Sequence, residues 1–276
     1  MRLLFFAGCL LLIVSYGCVE NCEVSLPLNS DHVQRLLSTK NCSKCELNNA
    51  DLAGASLAGA DLRQARLMGV QLQGADLRGA DLRWALFNFL RKQDGPGSCP
   101  TVEFGSNLTG ANLSGANLTA AGLGYTNMNG TLLRNANLSH SYLSHSYLNE
   151  AQLEGSNLSE ASLFDTKLLR ANLRRTNLRE AQLAGSNLIE ADLRDANLEG
   201  ASLYRANLSK ANLEGANLRK TVLSWTDLRG TNLRGVELTG ADLSKANLKG
   251  AKLPDKGKMR GTKFQGAIMP DGTVHK

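Results

Sequence analysis

From Leu108 to Leu253 an apolar residue returns at every fifth position, thirty times without a break. Twenty-nine of these residues are Leu and the other is Met128. An earlier block keeps the same step at Leu47, Leu52, Leu57, Leu62, Leu67, Leu72, Leu77 and Leu82. A helix repeats every 3.6 residues and a strand every two, so neither holds such a series on one side. A chain that turns a corner every five residues does. Four such sides close a square coil of about twenty residues, and stacked coils pair their backbones as a parallel ladder about 4.8 Å apart.

The other positions of the unit support this reading. With the recurring Leu as position i, position i−2 is small, as at Ala191, Ala196 and Ala201, and position i−1 is mostly Asn or Asp. Positions i+1 and i+2 are variable and polar, and most glycines fall at i+2, where a corner turns. Leu and the small residue point inward, and each buried Leu contributes roughly 1.5–3 kcal/mol. A single coil cannot hide its core, whereas stacked coils do. The second block makes about 7.5 coils and the first about two, a rod of roughly 45–50 Å.

The unit A(D/N)LXX, seen in Ala191-Asp-Leu-Arg-Asp and Ala196-Asn-Leu-Glu-Gly, resembles the pentapeptide-repeat family. The resemblance covers 45–87 and 106–253. It implies an all-β fold, a right-handed quadrilateral parallel β-helix, with a short helical N-terminal cap. LLSTKNCSKCELNNADL at 36–52 and GAIMPDGTVH at 266–275 resemble segments of members from photosynthetic bacteria.

The chain divides accordingly. Residues 1–17 read as a signal peptide: Arg2, an apolar run from Leu3 to Val14, then Ser15-Tyr-Gly before Cys18. The run is shorter than the roughly 20 residues of a spanning helix. Residues 18–44 form an N-terminal cap with Cys42-Ser-Lys-Cys45 and an N-cap signal at Ser30-Asp31, followed by Val33, Leu36 and Leu37 at helical spacing. Block one spans 45–87, a loop or degenerate coil 88–105, block two 106–253, and a C-terminal tail 254–276. The phase breaks between Leu82 and Leu108, around Asp94-Gly-Pro-Gly. A coil throwing out a loop is expected there, with two separate solenoids as the alternative. Trp84, Phe87 and Phe89 are expected in the core at this seam, with an exposed binding wedge as the alternative.

Cysteine usage agrees with export to an oxidising compartment, the periplasm or the thylakoid lumen. Cys9 leaves with the signal. Cys18 is the candidate for lipidation and would tether the rod to a membrane, although Ser15 and Tyr16 fit a lipoprotein signal poorly. Cys22, Cys42, Cys45 and Cys99 are the candidates for disulfides. No second metal pair and no βαβ pattern accompanies the Cys-x-x-Cys.

Residues twenty apart stack on one side of a square coil, so the outer surface is readable. One column is Asn117, Asn137, Asn157, Asn177, Asn197 and Asn217, whose amides are expected to bond along the stack. A second alternates Glu150, Arg170, Glu190 and Lys210. A third mixes Arg134, Glu154, Arg174, Arg194, Glu214 and Arg234, with Arg175 and Asp195 expected to relieve the Arg174–Arg194 pair. The fourth side departs from the consensus at Gly122, Tyr142, Ser162, Gln182, Ser202 and Val222. It gathers Tyr125, Tyr142, His145, Phe164, Tyr204, Arg205 and Trp225, five of the six aromatics of the regular second block. Tyr and Trp concentrate at binding hot spots, so this side is the candidate partner-binding face. The structural alternative is aromatics that only cover a sheet surface.

No catalytic constellation is present. His140 and His145 point from adjacent sides with no acidic or cysteine ligand at a metal-site spacing, and no phosphate-cradling loop occurs. No metal or cofactor is expected. The net charge of +6 is interleaved with acids instead of forming one basic stripe, so nucleic acid is not an expected partner. The expected function is a non-catalytic, exported interaction scaffold for a protein partner. The alternative is a cytoplasmic DNA mimic that binds a topoisomerase, as the family resemblance implies for some members. The positive charge and the export signal oppose it.

Overall fold

A computed structural model of the chain describes residues 27–88 and 105–276. The export signal, Cys18, Cys22, Phe89 and Cys99 lie outside the described residues.

One unit of the coil explains the rest. Leu188 points into the core and its N–H donates to the carbonyl of Asn207 on the next coil (2.7 Å). Asn207 in turn donates to the carbonyl of Ser186 (2.9 Å), and Ala191 closes a turn onto the carbonyl of Leu188 (3.0 Å). Glu190, at i+2, has φ of 58°, the positive value that a type II turn requires at its third residue. From Lys44 to Gly250 each described i+2 corner is either glycine or a residue held in the left-handed region.

Parallel pairing runs at a step of twenty, for instance Asn117 to Asn137 to Asn157. The pairing consists of isolated bridges, one residue at i−1 per side, and not of extended strands. A turn that starts at i and ends at the next i−2 leaves no room for a longer strand. The expected β architecture thus takes the form of four one-residue ladders joined by corners.

The core is a single column of Leu and Ala. Every i residue from Leu108 to Leu248 is at most 1% exposed, Met128 included. Where i−2 is Ser or Thr the hydroxyl is buried yet satisfied. Ser186 Oγ donates to Leu183 O at 2.6 Å, and Thr166 Oγ1 to Leu143 O at 3.0 Å. The backbone is close enough on this narrow axis for a short side chain to reach it, which offsets the cost of burying a hydroxyl.

The mid-chain break is an insertion at one corner. Gln71 pairs with Asn107, Asp76 with Asn112, Asp81 with Asn117 and Leu86 with Gly122. Each step is 36 residues, sixteen more than elsewhere. Asn88 occupies i+1 of the interrupted corner and Gly105 takes the i+2 slot, donating to Tyr125 O at 2.8 Å. Ser106 resumes the phase, with its hydroxyl donating to Leu67 O and Phe87 O. Phe87 is buried, replacing Leu at position i.

The expectation for Trp84 is corrected: it is 59% exposed. Trp84 falls at i+2, on a corner with φ of 62°, and a corner residue cannot point into the core.

Both ends are closed. Helix α1, Ser30–Thr39, buries Leu36 and packs Val33 against the first coil, while Leu37 stays exposed. Its N-cap is Asn29, whose side chain accepts from the His32 N–H at 3.0 Å, one residue before the expected signal. Lys40 ends the helix at φ 56°. Cys42 and Cys45 then take the i and i−2 slots of the first corner and are joined as a buried disulfide. At the other end Lys256–Lys258 forms a short 3-10 helix, after which Asp242 pairs with Lys263 and Asn247 with Ile268 at a step of 21. The chain folds back so that Ile268 pairs antiparallel with Val274. Among the described residues no helix is long and apolar enough to cross a membrane.

Candidate partner-binding face

The side that runs through Leu86, Gly122, Tyr142, Ser162, Gln182, Ser202, Val222 and Asp242 is one continuous ladder. Its outward positions are i−1, i+1 and the corner i+2. Tyr142 stands at i−1, Phe164 and Tyr204 at i+1, and Tyr125, His145, Arg205 and Trp225 at i+2. The twenty-residue step therefore brings all seven predicted residues to this side.

The ring of Tyr125 stacks on the imidazole of His145, with centroids 4.8 Å apart and planes 21° apart. His145 Nδ1 lies 4.0 Å from Asp165 on the next coil. Further along, the Arg205 guanidinium sits 5.1 Å from the centroid of its neighbour Tyr204, and the Lys245 ammonium 4.6 Å from that of Trp225. Such cation–ring contacts contribute about 0.5–1 kcal/mol at exposed sites. The corner column thus sets rings beside charges at both ends, Tyr125 and His145 before Asp165, and Trp225 between Arg205 and Lys245.

Tyr142 is seated differently. A Cβ on Gly124 would stand 2.4 Å from Tyr142 Cε1, so the tyrosine ring lies directly on a residue that has no side chain. Asn88 lies beside it, its amide oxygen buried and without a hydrogen-bond partner among the described residues.

Tyr125, Tyr142, Phe164, Tyr204, Val222 and Trp225 are all exposed. Trp84 joins them at the edge: its N–H bonds Thr119 O, which places it one coil below Ala120 on the corner that opens this side. Among the described residues every exposed aromatic belongs to this side or to that corner. Sequence reasoning leaves Trp84 off this face because it favours core over an exposed wedge at the phase break. Its place at i+2 of Leu82 was the signal.

The other three sides are polar and internally paired. Asn157 Nδ2 donates to Asn137 Oδ1 (3.3 Å) and Asn177 Nδ2 to Asn157 Oδ1 (3.0 Å), and Asn217 bonds Asn197 in the same way (3.0 Å). Arg170 pairs with Glu190 at 2.9 Å, and Lys210 approaches the same carboxylate at 3.9 Å. Arg194 is held mainly by a fork onto Asp192, with Nε to Oδ1 at 2.8 Å, and the nearby charge of Asp195 adds to it as expected. Arg175 lies 3.8 Å from Glu154, while Arg174 Nε is buried without a hydrogen bond.

The Asp192 fork is one of five. Asp61–Arg63, Asp76–Arg78, Asp81–Arg83 and Asp227–Arg229 make the same contact. In each, the i−1 carboxylate and the i+1 guanidinium flank an inward Leu and share the outer surface, as alternate residues of an extended segment do. The Arg hydrogen bond holds Asp61, Asp81 and Asp227 below the usual carboxylate range and Asp76 at about 2. The Asp-Leu-Arg tripeptide was the unread sequence signal.

His140 and His145 stand on adjacent corners, as their spacing predicts. The absence of acidic neighbours is corrected: Glu160 lies 3.4 Å from His140 Nδ1, one coil along, as Asp165 does for His145. Each is a single imidazole–carboxylate pair. Among the described residues no group of three or more His, Cys, Asp or Glu side chains could hold a metal ion.

The geometry defines a four-sided solenoid of five-residue units. The family model for pentapeptide repeats matches in eight copies over 45–83, 105–135, 132–168, 156–195, 186–224 and 216–255. The chain belongs to the pentapeptide-repeat family, whose members fold as right-handed quadrilateral β-helices. Among solved structures it is similar to HetL, a pentapeptide repeat protein involved in heterocyst differentiation regulation from the cyanobacterium Nostoc. Identity is 31%, over 91% of this chain and 100% of that one, with a TM-score of 0.44. A pentapeptide repeat protein from the Arabidopsis thaliana thylakoid lumen is 28% identical over 38% of this chain and 72% of its own, with a TM-score of 0.34. QnrB1, a plasmid-mediated fluoroquinolone resistance protein, is 18% identical over 78% and 92%, also with a TM-score of 0.34. No curated protein matches the chain.

Proposed function

We propose that this protein is an exported, non-catalytic scaffold that docks a protein partner on the side bearing Tyr125, Tyr142, Phe164, Tyr204 and Trp225. The supporting observation is the segregation of exposed aromatics onto that side and its bordering corner, while the other three are polar and carry Asn ladders and ion pairs. Rigid rings flanked by Arg205 and Lys245 have the composition of an interface centre with a charged rim. Export rests on the N-terminal sequence, where a charged start, a short apolar run and small residues precede Cys18. Among the described residues no nucleophile and base are paired, so binding is favoured over catalysis.

The DNA-mimic alternative fits poorly. Such a mimic needs a surface of unpaired acids, and here five Asp carboxylates are covered by their own Arg. The test is quantitative affinity capture from the native cell with wild type and with Tyr204→Ser/Trp225→Ser. A defined protein enriched by wild type and lost with the double variant, at unchanged thermal stability, supports docking on this side. Equal capture by both sinks it. The mass of the mature chain tests export separately, since an intact Met1 would contradict it.

A further inference from the structure

The charge of the chain is not spread evenly along the rod. Residues 1–200 carry 17 basic and 19 acidic side chains, and residues 201–276 carry 14 and 6. The excess gathers on the last coil. Lys249 follows Leu248 on one side, Lys252 pairs above Asn232 on the next, Lys258 stands above Leu238 on the third, and Lys263 pairs above Asp242 on the fourth. Lys256 and Arg260 lie between them. Each side of this last turn of the coil therefore carries a lysine.

Of these groups Lys258 is neutralised, by Glu237 at 2.9 Å. Lys249, Lys252, Lys256, Arg260 and Lys263 are exposed, and among the described residues none has a carboxylate within ion-pair distance. Above this ring the returning segment leaves Val274 63% exposed. The arrangement is a blunt end ringed by mostly lysine charges, with an apolar residue at its tip.

We infer that the C-terminal end of the solenoid is a docking surface for an anionic membrane, on which the rod stands end-on. Cations spread around a cross-section near one end match a plane of headgroups, because several of them reach that plane at once. A nucleic acid would call for a groove that tracks phosphates, with aromatic platforms for bases, and the aromatics of this protein lie along a different side. Lysine suits the task as a mobile point charge that needs no bidentate partner. Each basic residue near an anionic leaflet strengthens binding about fivefold. The aromatic side would remain free for a partner, and the inference does not depend on that partner.

The experiment is sedimentation of the full chain with vesicles of phosphatidylcholine alone and with about a fifth phosphatidylglycerol, at about 0.15 M salt. Three proteins are compared at equal thermal stability: wild type, Lys252→Glu/Lys256→Glu/Arg260→Glu, and a mid-rod control of equal charge change, Arg134→Glu/Lys167→Glu/Arg179→Glu. The expected result is binding of wild type only to the anionic vesicles, weakened at least about a hundredfold in the end variant and kept within a few-fold in the control. Absence of wild-type binding, equal losses in both variants, or tighter binding to duplex DNA than to the vesicles would overturn the inference.

Discussion

The guanidinium of Arg78 lies along the carboxylate of Asp76, donating from Nε to Oδ1 at 2.9 Å and from Nη2 to Oδ2 at 2.8 Å. Two residues that the sequence separates by one leucine thus form a closed pair, repeated at four other points of the rod.

These pairs make stability depend on acid. The folded protein holds Asp76 at about 2, against an ordinary value of 3.8, and Asp81 and Asp227 are lowered as well. A depressed carboxylate binds fewer protons folded than unfolded, so its contribution is present above its ordinary value and lost as pH falls through the folded one. The urea midpoint should fall between about pH 4 and about pH 2. Replacing Asp76, Asp81 and Asp227 with Asn, the usual alternative at i−1, should flatten that fall. An acid limb as steep as wild type's would show that the pairs are not its cause.

The corners should respond to glycine in opposite senses. Ala120 is held at φ 55°, where a non-glycine residue costs roughly 1–2 kcal/mol. Ala120→Gly should stabilise by about 0.5–1 kcal/mol, after the added flexibility of the unfolded chain is subtracted. Gly54 has φ of 67°, and a Cβ there meets nothing within 4 Å. Gly54→Ala should therefore cost about 1 kcal/mol from backbone strain alone. Chemical denaturation of the pair reads both, and shifts of the same sign would reject this account of the corners.

The axis should tolerate neither loss nor gain of volume. Leu178 and Ala181 are both buried to within 1%. Leu178→Ala should destabilise by about 2–5 kcal/mol. Ala181→Leu should cost about 1–3 kcal/mol by overpacking, since the neighbouring leucines already fill the cross-section. A neutral Ala181→Leu variant would mean that the coil expands freely.

Tyr142 depends on Gly124. Because a Cβ on Gly124 would stand 2.4 Å from the tyrosine ring, Gly124→Ala should displace that ring while leaving the ladder intact. The check is the Tyr142 aromatic NMR signal together with the melting temperature. A shifted signal with little change in melting is the expected result, and an unmoved signal would contradict the seating described.

The helical cap can be tested alone. Asn29→Ala removes the bond to the His32 N–H and should cost about 1 kcal/mol. Amide exchange should quicken first at His32, which loses its acceptor, and at Val33, which donates to Asn29 O in the same turn. Exchange quickening equally along the coils would show that the cap does not act locally.

Much of this molecule was legible because one period governs both its core and its surface. Knowing that Leu188 is position i locates Asn187 on a ladder, Glu190 on a corner and Ala191 in the core. The same arithmetic placed Tyr204 and Trp225 on one side before any coordinates. It failed where a residue's slot was judged by its chemistry. Trp84 was placed in the core for being apolar, although its number puts it on a corner. The Asp-Leu-Arg forks are not legible in the twenty-residue columns because they join residues two apart. Asn29 was overlooked as the cap because Ser30 is an equally good capping residue, and the choice between them depends on backbone geometry.

The sixteen-residue interruption enters between Asn88 and Gly105, after the inward Phe87 has been set and before Ser106 resumes the phase. All four ladders cross it at a common offset. A corner of this solenoid is therefore a splice point: its length is not read by the core or by the bridges. Other i+1/i+2 junctions share that backbone plan, so they offer places where foreign sequence could be grafted at a chosen height and on a chosen side without recutting the rod.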